Sequence, residues 1–336
     1  MKKSITALVF LVILALGLCS CQVENTKPQT RVFYDVFDTV ATFYDYTGST
    51  RDEFAALADR VESEIVEYHE LFDIYHEYEG KNNLATVNRL AGQGPVKVDS
   101  RIIDLLVYSK SIYELTDGNT NIAMGAVLRI WHAYRTYGVE IPPMDILQAA
   151  ALHTDISKVI IDEENMTVEL LDPEMSLDVG AIAKGYAVEE VAKMLEAEGL
   201  SGYVIDVGGN LRTVGTKKNG DGWKTGIKNP DRHSTERFIY YLELKNEAIV
   251  TSGSYERFYT VGGVSYHHII NKDTLMPENY YLSVSVKSPS SALSDSLSTA
   301  IFNMPLEKTK ELVNENKDVF VVLVLPSGEV VTLGEE

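Results

Sequence analysis

Both cysteines of this 336-residue chain, Cys19 and Cys21, lie within its first 21 residues. Whatever folds beyond them does so without a disulfide, a thiolate zinc site or a cysteine nucleophile. Cohesion must come from an apolar core instead. The composition can supply one, with 45% hydrophobic and 24% charged residues, and it also argues against disorder. The length allows one large or two ordinary domains. Lys and Arg total 30 against 49 Asp and Glu, a formal charge of −19. A body this acidic repels phosphate backbones, so nucleic acid is excluded as a partner.

The amino terminus accounts for the cysteines. Lys2 and Lys3 precede an apolar run, Ala7 to Leu18, of signal-peptide length. That run is shorter than the roughly 20 residues a membrane span needs. An ordinary secretory signal fits it, but Leu18-Cys19-Ser20-Cys21 resembles a bacterial lipobox, with Leu18 and the small Ser20 at the positions before Cys21. Residues 1–20 are therefore read as a signal peptide removed after Ser20, and Cys21 as the lipidated (palmitate-bearing) residue. Residues 21–31 follow as a polar tether carrying Pro28. This places the chain on the cell membrane, lipid-anchored at its extracytoplasmic face. Loss of the two lysines takes the charge from −19 to −21.

Residues 32–336 read as one domain, with no repeat and no convincing linker. Val32 to Tyr46 is a strand pair or one long strand. Phe54, Leu57, Val61, Ile65, Tyr68 and Leu71 recur at helical spacing after Ser49 or Thr50. Further helices are expected at Ser100–Leu115, Ala181–Glu198, Ser291–Asn303 and Leu306–Asn316. Hairpins are expected at Lys158–Leu171 and Val319–Leu333, and strands at Gly202–Val207, Lys224–Lys228, Phe238–Leu244 and Ala248–Thr251. Clustered strands with helices between them favour a mixed α+β fold, with a largely antiparallel sheet and packed helices.

Four segments carry chemistry. In Ser176-Leu-Asp-Val-Gly-Ala-Ile-Ala-Lys-Gly-Tyr-Ala187 a strand ends at Asp178 and small residues open a helix. Unpaired helix-start amides and Lys184 suit a phosphate. A tight structural turn with a solvated lysine fits equally well. Ile205-Asp-Val-Gly-Gly-Asn210 permits close backbone approach. Thr251-Ser-Gly-Ser-Tyr-Glu-Arg257 is followed by Tyr266-His-His-Ile-Ile-Asn271. Two adjacent histidines on a strand face opposite sides, so one of them can enter a site. Arg257 could meet a phosphate or a surface carboxylate. Asp295 and Thr299, four apart on one helix face, are hard oxygen donors suited to Mg²⁺. A dipole-favoured Asp with a packed Thr is the simpler reading when that pair is taken alone.

Together and in this order, the segments resemble the FAD:protein FMN transferase family, the ApbE-like flavin-transferring lipoproteins, from about Phe37 to Leu333. The resemblance rests on Asp178-x-Gly-Ala-Ile-Ala-Lys-Gly-Tyr-Ala187, Gly208-Gly-Asn210, Ser252-Gly-x-Tyr-x-Arg257, His268-Ile-Ile270 and Asp295-x-x-x-Thr299. It implies an enzyme that binds FAD and, with Mg²⁺, transfers FMN to a threonine of a target protein through a phosphoester, releasing AMP. It implies Asp178, Lys184 and Arg257 as FAD contacts, the Ala181 carbonyl with Asp295 and Thr299 as the metal set, and His268 at the reacting centre. Tyr75 corresponds to a flavin-stacking aromatic, Asn119-Thr120-Asn121 to an adenine-side loop, and Ile270 to a flavin contact. The implied acceptor is a subunit of a membrane redox complex. Asn271-Lys272 stands where the family commonly has Asp-Pro, Phe37-Asp38-Thr39 where it has a Met-Gly-Thr-like segment, and Asn121 where it has Asp. FAD hydrolysis to FMN and AMP, or flavin binding without catalysis, are the alternative activities.

Overall fold

A computed structural model describes residues 27–336. The expected signal peptide and Cys21 lie outside the described residues. The chain opens with a hairpin, β1 (Gln29–Val36) and β2 (Thr39–Asp45), so the strand-pair reading holds. Gln29–Arg31, expected as tether, belong to β1 because they pair with Phe43–Asp45. Helix α1 (Arg51–Phe72) follows. Its capping box is complete: Glu53 N–H donates to the Thr50 hydroxyl, and the Glu53 carboxylate accepts from Thr50 N–H. Phe54, Ala58, Val61, Ile65, Tyr68 and Leu71 form its buried face.

Next come α2 (Leu84–Arg89), β3 (Val96–Lys97), α3 (Ser100–Leu115), α4 (Gly125–Tyr137) and α5 (Met144–Ala151). The expected hairpin is β4 (Val159–Asp162) with β5 (Thr167–Leu170). Helix α6 covers Ala183–Ala197, two residues later than expected at its start, because residues up to Ile182 form the turn that leads into it. Strands β6 (Tyr203–Val207), β7 (Asn210–Val214), β8 (Trp223–Lys228), β9 (Phe238–Leu244) and β10 (Ala248–Gly253) follow, then β11 (Phe258–Val261), β12 (Val264–His267) and β13 (Ser283–Ser288). The chain closes with α7 (Ser291–Phe302), α8 (Leu306–Glu315), β14 (Phe320–Val324) and β15 (Val330–Leu333).

Eight strands form one sheet in the order β1-β2-β6-β7-β10-β13-β14-β15. Every neighbouring pair is antiparallel. The α+β expectation with a largely antiparallel sheet is met. Helix α1, the α3 helix and α6 bury their apolar faces with β2 and β6 in the main core, while α7 and α8 pack with β13 and β14 in a second one. Among the described residues no helix is long and apolar enough to cross a membrane.

Strand register locates the functional edge of this sheet. Ala41, Val207, Asn210, Val250 and Val286 form a continuous row of paired residues. Beyond that row lie the β1–β2 turn, the Gly208-Gly209 turn and the end of β10, and all three line one cleft.

Candidate active site

The cleft encloses about 1090 Å³, a volume suited to a dinucleotide-sized ligand. Of the residues singled out from sequence it brings together Tyr75, Asn119, Thr120, Asn121, Asp178, Ala181, Lys184, Arg257, His268, Ile270, Asp295 and Thr299. Segments separated by more than 200 residues therefore meet at one place.

The contact between α6 and α7 sets the acidic corner. An added Cβ on Gly185 would collide with Asp295 Cβ and the Ser291 carbonyl. Glycine here serves the approach of two helices, not of a ligand, which corrects the simplest reading of that small-residue run. The close approach lets Gly185 N–H donate 2.8 Å to Asp295 Oδ2. The expected bare helix start is thus partly satisfied by protein. The diverted amide would otherwise close the first turn onto the Ala181 carbonyl, four residues earlier, and that oxygen accepts no backbone hydrogen bond among the described residues. Asp295 Oδ1 and the Thr299 hydroxyl likewise have no hydrogen-bond partner there. Asp295 is only 4% exposed. An unpartnered carboxylate oxygen, a hydroxyl and a freed carbonyl are hard donors, so these residues fit Mg²⁺. No cluster of three or more His, Cys, Asp or Glu offers a competing metal site among the described residues. Lys184, the second residue of α6, has its Nζ 3.3 Å from the Gly180 carbonyl and 3.7 Å from Asp295 Oδ2.

The histidines divide as expected, although β12 ends at His267 and leaves His268 just past the strand. His267 is 3% exposed; its Nε2 donates 2.8 Å to the Glu278 carbonyl, and its ring meets Phe302 edge-on. His268 faces the cleft. Its Nδ1 lies 3.2 Å from the Arg257 carbonyl, which can only accept, so Nδ1 carries the proton and Nε2 keeps a free lone pair. Burial pushes its pKa down to about 3; the Arg257 carbonyl opposes the shift, and the positive charges of Arg257 and Arg135 reinforce it. At neutral pH the imidazole is an uncharged acceptor.

Asp178 is pushed up by burial, against the Gly180 N–H it accepts at 2.9 Å and the nearby side chains of His132, Lys184 and Arg135. Tyr75 stands at the rim, 57% exposed, with its ring 5.5 Å from that of His132. The Asp73 carboxylate holds its loop by accepting from Tyr75 N–H at 2.7 Å and from the Tyr78 hydroxyl at 2.9 Å. Ile270 is buried wall, bridged to Pro277.

The 119–121 loop reaches the cleft with its side chains largely engaged by protein. Asn119 Nδ2 donates to the Thr116 carbonyl, and Thr120, 2% exposed, donates to the Ser296 carbonyl. Asn121 donates to the Thr154 carbonyl and accepts from Ala123 N–H. Backbone, more than side chain, is what this loop can offer a ligand. Asn271 caps a turn by accepting from Asp273 and Thr274 N–H, a role any Asx oxygen can fill, which accounts for Asn where Asp is common. The departure at Phe37-Asp38 is accommodated by left-handed backbone, φ 51° and 54°, with Phe37 N–H donating to His69 Nδ1.

Sequence reasoning missed His132 and Arg135 on α4 and Asp206 before the Gly208-Gly209 turn, all in the cleft wall. The spacing of Leu128, Trp131, His132 and Arg135 at positions i, i+3, i+4 and i+7 was the available signal for α4.

Comparison with known proteins agrees with this geometry. The model of the ApbE family matches residues 37–323. A FAD:protein FMN transferase of Treponema pallidum (strain Nichols) is 33% identical over 263 residues, 74% of this chain and 72% of the relative. One from Klebsiella pneumoniae (strain 342) is 29% identical over 277 residues, 82% and 84% of the two chains. The crystal structure of the ApbE protein from Thermotoga maritima MSB8 superposes with a TM-score of 0.79 at 25% identity, covering 91% of this chain and 97% of that one. The flavin transferase ApbE from Vibrio cholerae gives 0.76 at 22% identity, covering 92% and 98%, a likeness of fold. With its family motifs gathered around one cleft and most of its length matched, this chain belongs to the ApbE family.

Proposed function

We propose that this chain is a FAD:protein FMN transferase that moves FMN from FAD to a threonine of a target protein. The observation that carries the reading is the convergence of a neutral His268, with Nε2 free, and the Ala181–Asp295–Thr299 oxygen set in one dinucleotide-sized cleft. Tyr75 and Ile270 would bear on the flavin, the 119–121 loop on the adenine side, and Lys184 with Arg257 on the phosphates. Ala181, Asp295 and Thr299 would hold Mg²⁺, which supplies charge neutralisation at the transferred phosphoryl group. His268 Nε2 takes the proton of the acceptor hydroxyl as the threonine Oγ–phosphorus bond forms. The phosphorus–oxygen bond to the AMP half breaks, and AMP leaves with that oxygen. Positioning and charge neutralisation suffice for such a step, so a cysteine-free body can perform it.

Two placements belong to the same reading. Lipid on Cys21 would hold the enzyme at the extracytoplasmic membrane face, and the acceptor would be a subunit of a membrane redox complex on that side. Labelled palmitate incorporated by the wild type and absent from Cys21→Ser tests the anchor.

The activity is tested with the purified chain, FAD, Mg²⁺ and threonine-bearing acceptor domains, followed by intact mass. Asp295→Asn retains an oxygen for Gly185 N–H, so its unfolding midpoint should stay near wild type while transfer falls by about 10²-fold through weakened metal binding. Unchanged transfer in this variant, or FAD binding without adduct on any acceptor, would overturn the proposal.

A further inference from the structure

We propose that Arg135 and Arg257 form a two-pronged phosphate seat on the His268 side of the cleft, making Arg135 a substrate-binding residue outside the family motifs. The inference rests on the reading of the cleft as a FAD site and deepens it. Both guanidinium-bearing residues line the cleft, Arg135 from α4 and Arg257 from the connection between β10 and β11.

In a chain with 49 carboxylates, five of the eleven arginines pair with one. Arg31, Arg60, Arg89, Arg101 and Arg212 each make an ion pair. Of the arginines without an ion pair among the described residues, Arg135 and Arg257 are the two that line the cleft, although Asp178 is near enough for its charge to reach Arg135. Arg135 is only partly exposed. Its one polar side-chain contact is 3.3 Å to His132 Nδ1, and the His132 ring neighbours Tyr75.

Burial and the like charge of Arg257 both disfavour the charged form of Arg135. Two unneutralised cations facing one cavity repel each other, and a shared anion converts that cost into attraction. Guanidinium groups bind phosphate oxygens through paired N–H donors, so a diphosphate is the anion this arrangement suits. The mounting is fixed on both sides. Trp131 Nε1 donates 2.9 Å to the Leu275 carbonyl and anchors α4, while the Arg257 carbonyl holds His268 through its backbone N–H and Nδ1. The charges of both arginines reach Tyr75 and His268.

The test compares FAD with riboflavin, which keeps the ring system and lacks phosphate. Flavin fluorescence titrations on the full chain in detergent use wild type, Arg135→Gln, Arg135→Lys and Arg257→Gln, each at low and high salt. Loss of a charge-assisted pair should weaken FAD binding about 10- to 100-fold in Arg135→Gln, with riboflavin changed less than about threefold. Arg135→Lys should fall between, and the salt dependence of FAD binding should become shallower without Arg135. FAD affinity unchanged in Arg135→Gln, or equal losses for FAD and riboflavin, would overturn the proposal, as would a wild type whose FAD affinity ignores salt. FAD binding without FMN transfer would refute the transferase reading and leave this test intact.

Discussion

Replacing Gly185 by Ala tests whether the α6–α7 contact builds the acidic corner. The new methyl meets Asp295 Cβ and the Ser291 carbonyl, both on helix α7 and neither a flexible side-chain end. Overpacking of this kind costs about 1–3 kcal/mol, and rigid neighbours place it at the upper end. Separating the helices also stretches the Gly185 N–H to Asp295 bond, a charged hydrogen bond worth roughly 1.5–3 kcal/mol. Ala is the better helix former by about 1 kcal/mol, which offsets part of the loss. A net destabilisation of about 2–4 kcal/mol follows. Misplacing Asp295 by about 1 Å should lower transfer by about 10²-fold. Urea unfolding gives the first quantity, and the initial rate of adduct formation the second. Gly220→Ala is the control: its φ is +83° and an added Cβ meets nothing within 4 Å, so about 1–2 kcal/mol of backbone strain is expected with normal activity. A Gly185→Ala protein within about 0.5 kcal/mol of wild type and fully active would refute the reasoning.

Two further predictions concern charge. His268→Ala should lower transfer by about 10²- to 10⁴-fold with FAD affinity nearly unchanged. Because burial holds the imidazole neutral, with a pKa of about 3, kcat/KM should show no acid limb near pH 6.5, and an apparent pKa there assigned to His268 would contradict its placement. The sign for stability runs the same way: between about pH 3 and 6.5 the unfolded chain binds the proton that folded His268 refuses, so acidification through that window destabilises the fold. Glu189 accepts from Arg212 Nε at 3.2 Å and from Ser291 N–H at 2.7 Å, with the Arg212 side chain 3% exposed. Glu189→Ala strands that cation, and although Glu196 retains one contact, a cost of about 3 kcal/mol in urea unfolding is expected; less than 1 kcal/mol would show the pair to be dispensable.

What the sequence revealed follows physical lines. Helix α1 was legible because capping box and apolar stripe agree, and the helix bearing Asp295 and Thr299 because its donors share a face. The chemistry-bearing residues were legible as motifs, yet nothing local showed that Gly185 serves a helix contact or that Asp295 takes its amide. Strand β13 escaped notice because Ser283-Val-Ser-Val-Lys-Ser288 reads as a half-exposed edge, whereas all six residues are buried in mid-sheet. Its Ser285 hydroxyl reaches Thr251 and its Ser288 hydroxyl reaches Ser294, partners that only the folded sheet supplies. Helix α4 was missed because it begins at Gly125 with no side-chain cap, and Arg135 went with it. Gly125 is required there because an added Cβ would run into the Ser176 backbone, a contact invisible in one dimension.

The central claim is transfer, as opposed to hydrolysis or simple binding. The most direct measurement counts AMP released against FMN bound covalently to an acceptor domain, in the same reaction with FAD and Mg²⁺. The account predicts one AMP per adduct, with AMP release negligible when the acceptor threonine is replaced by alanine. AMP release that continues at the same rate without acceptor, leaving free FMN and no adduct, would contradict it.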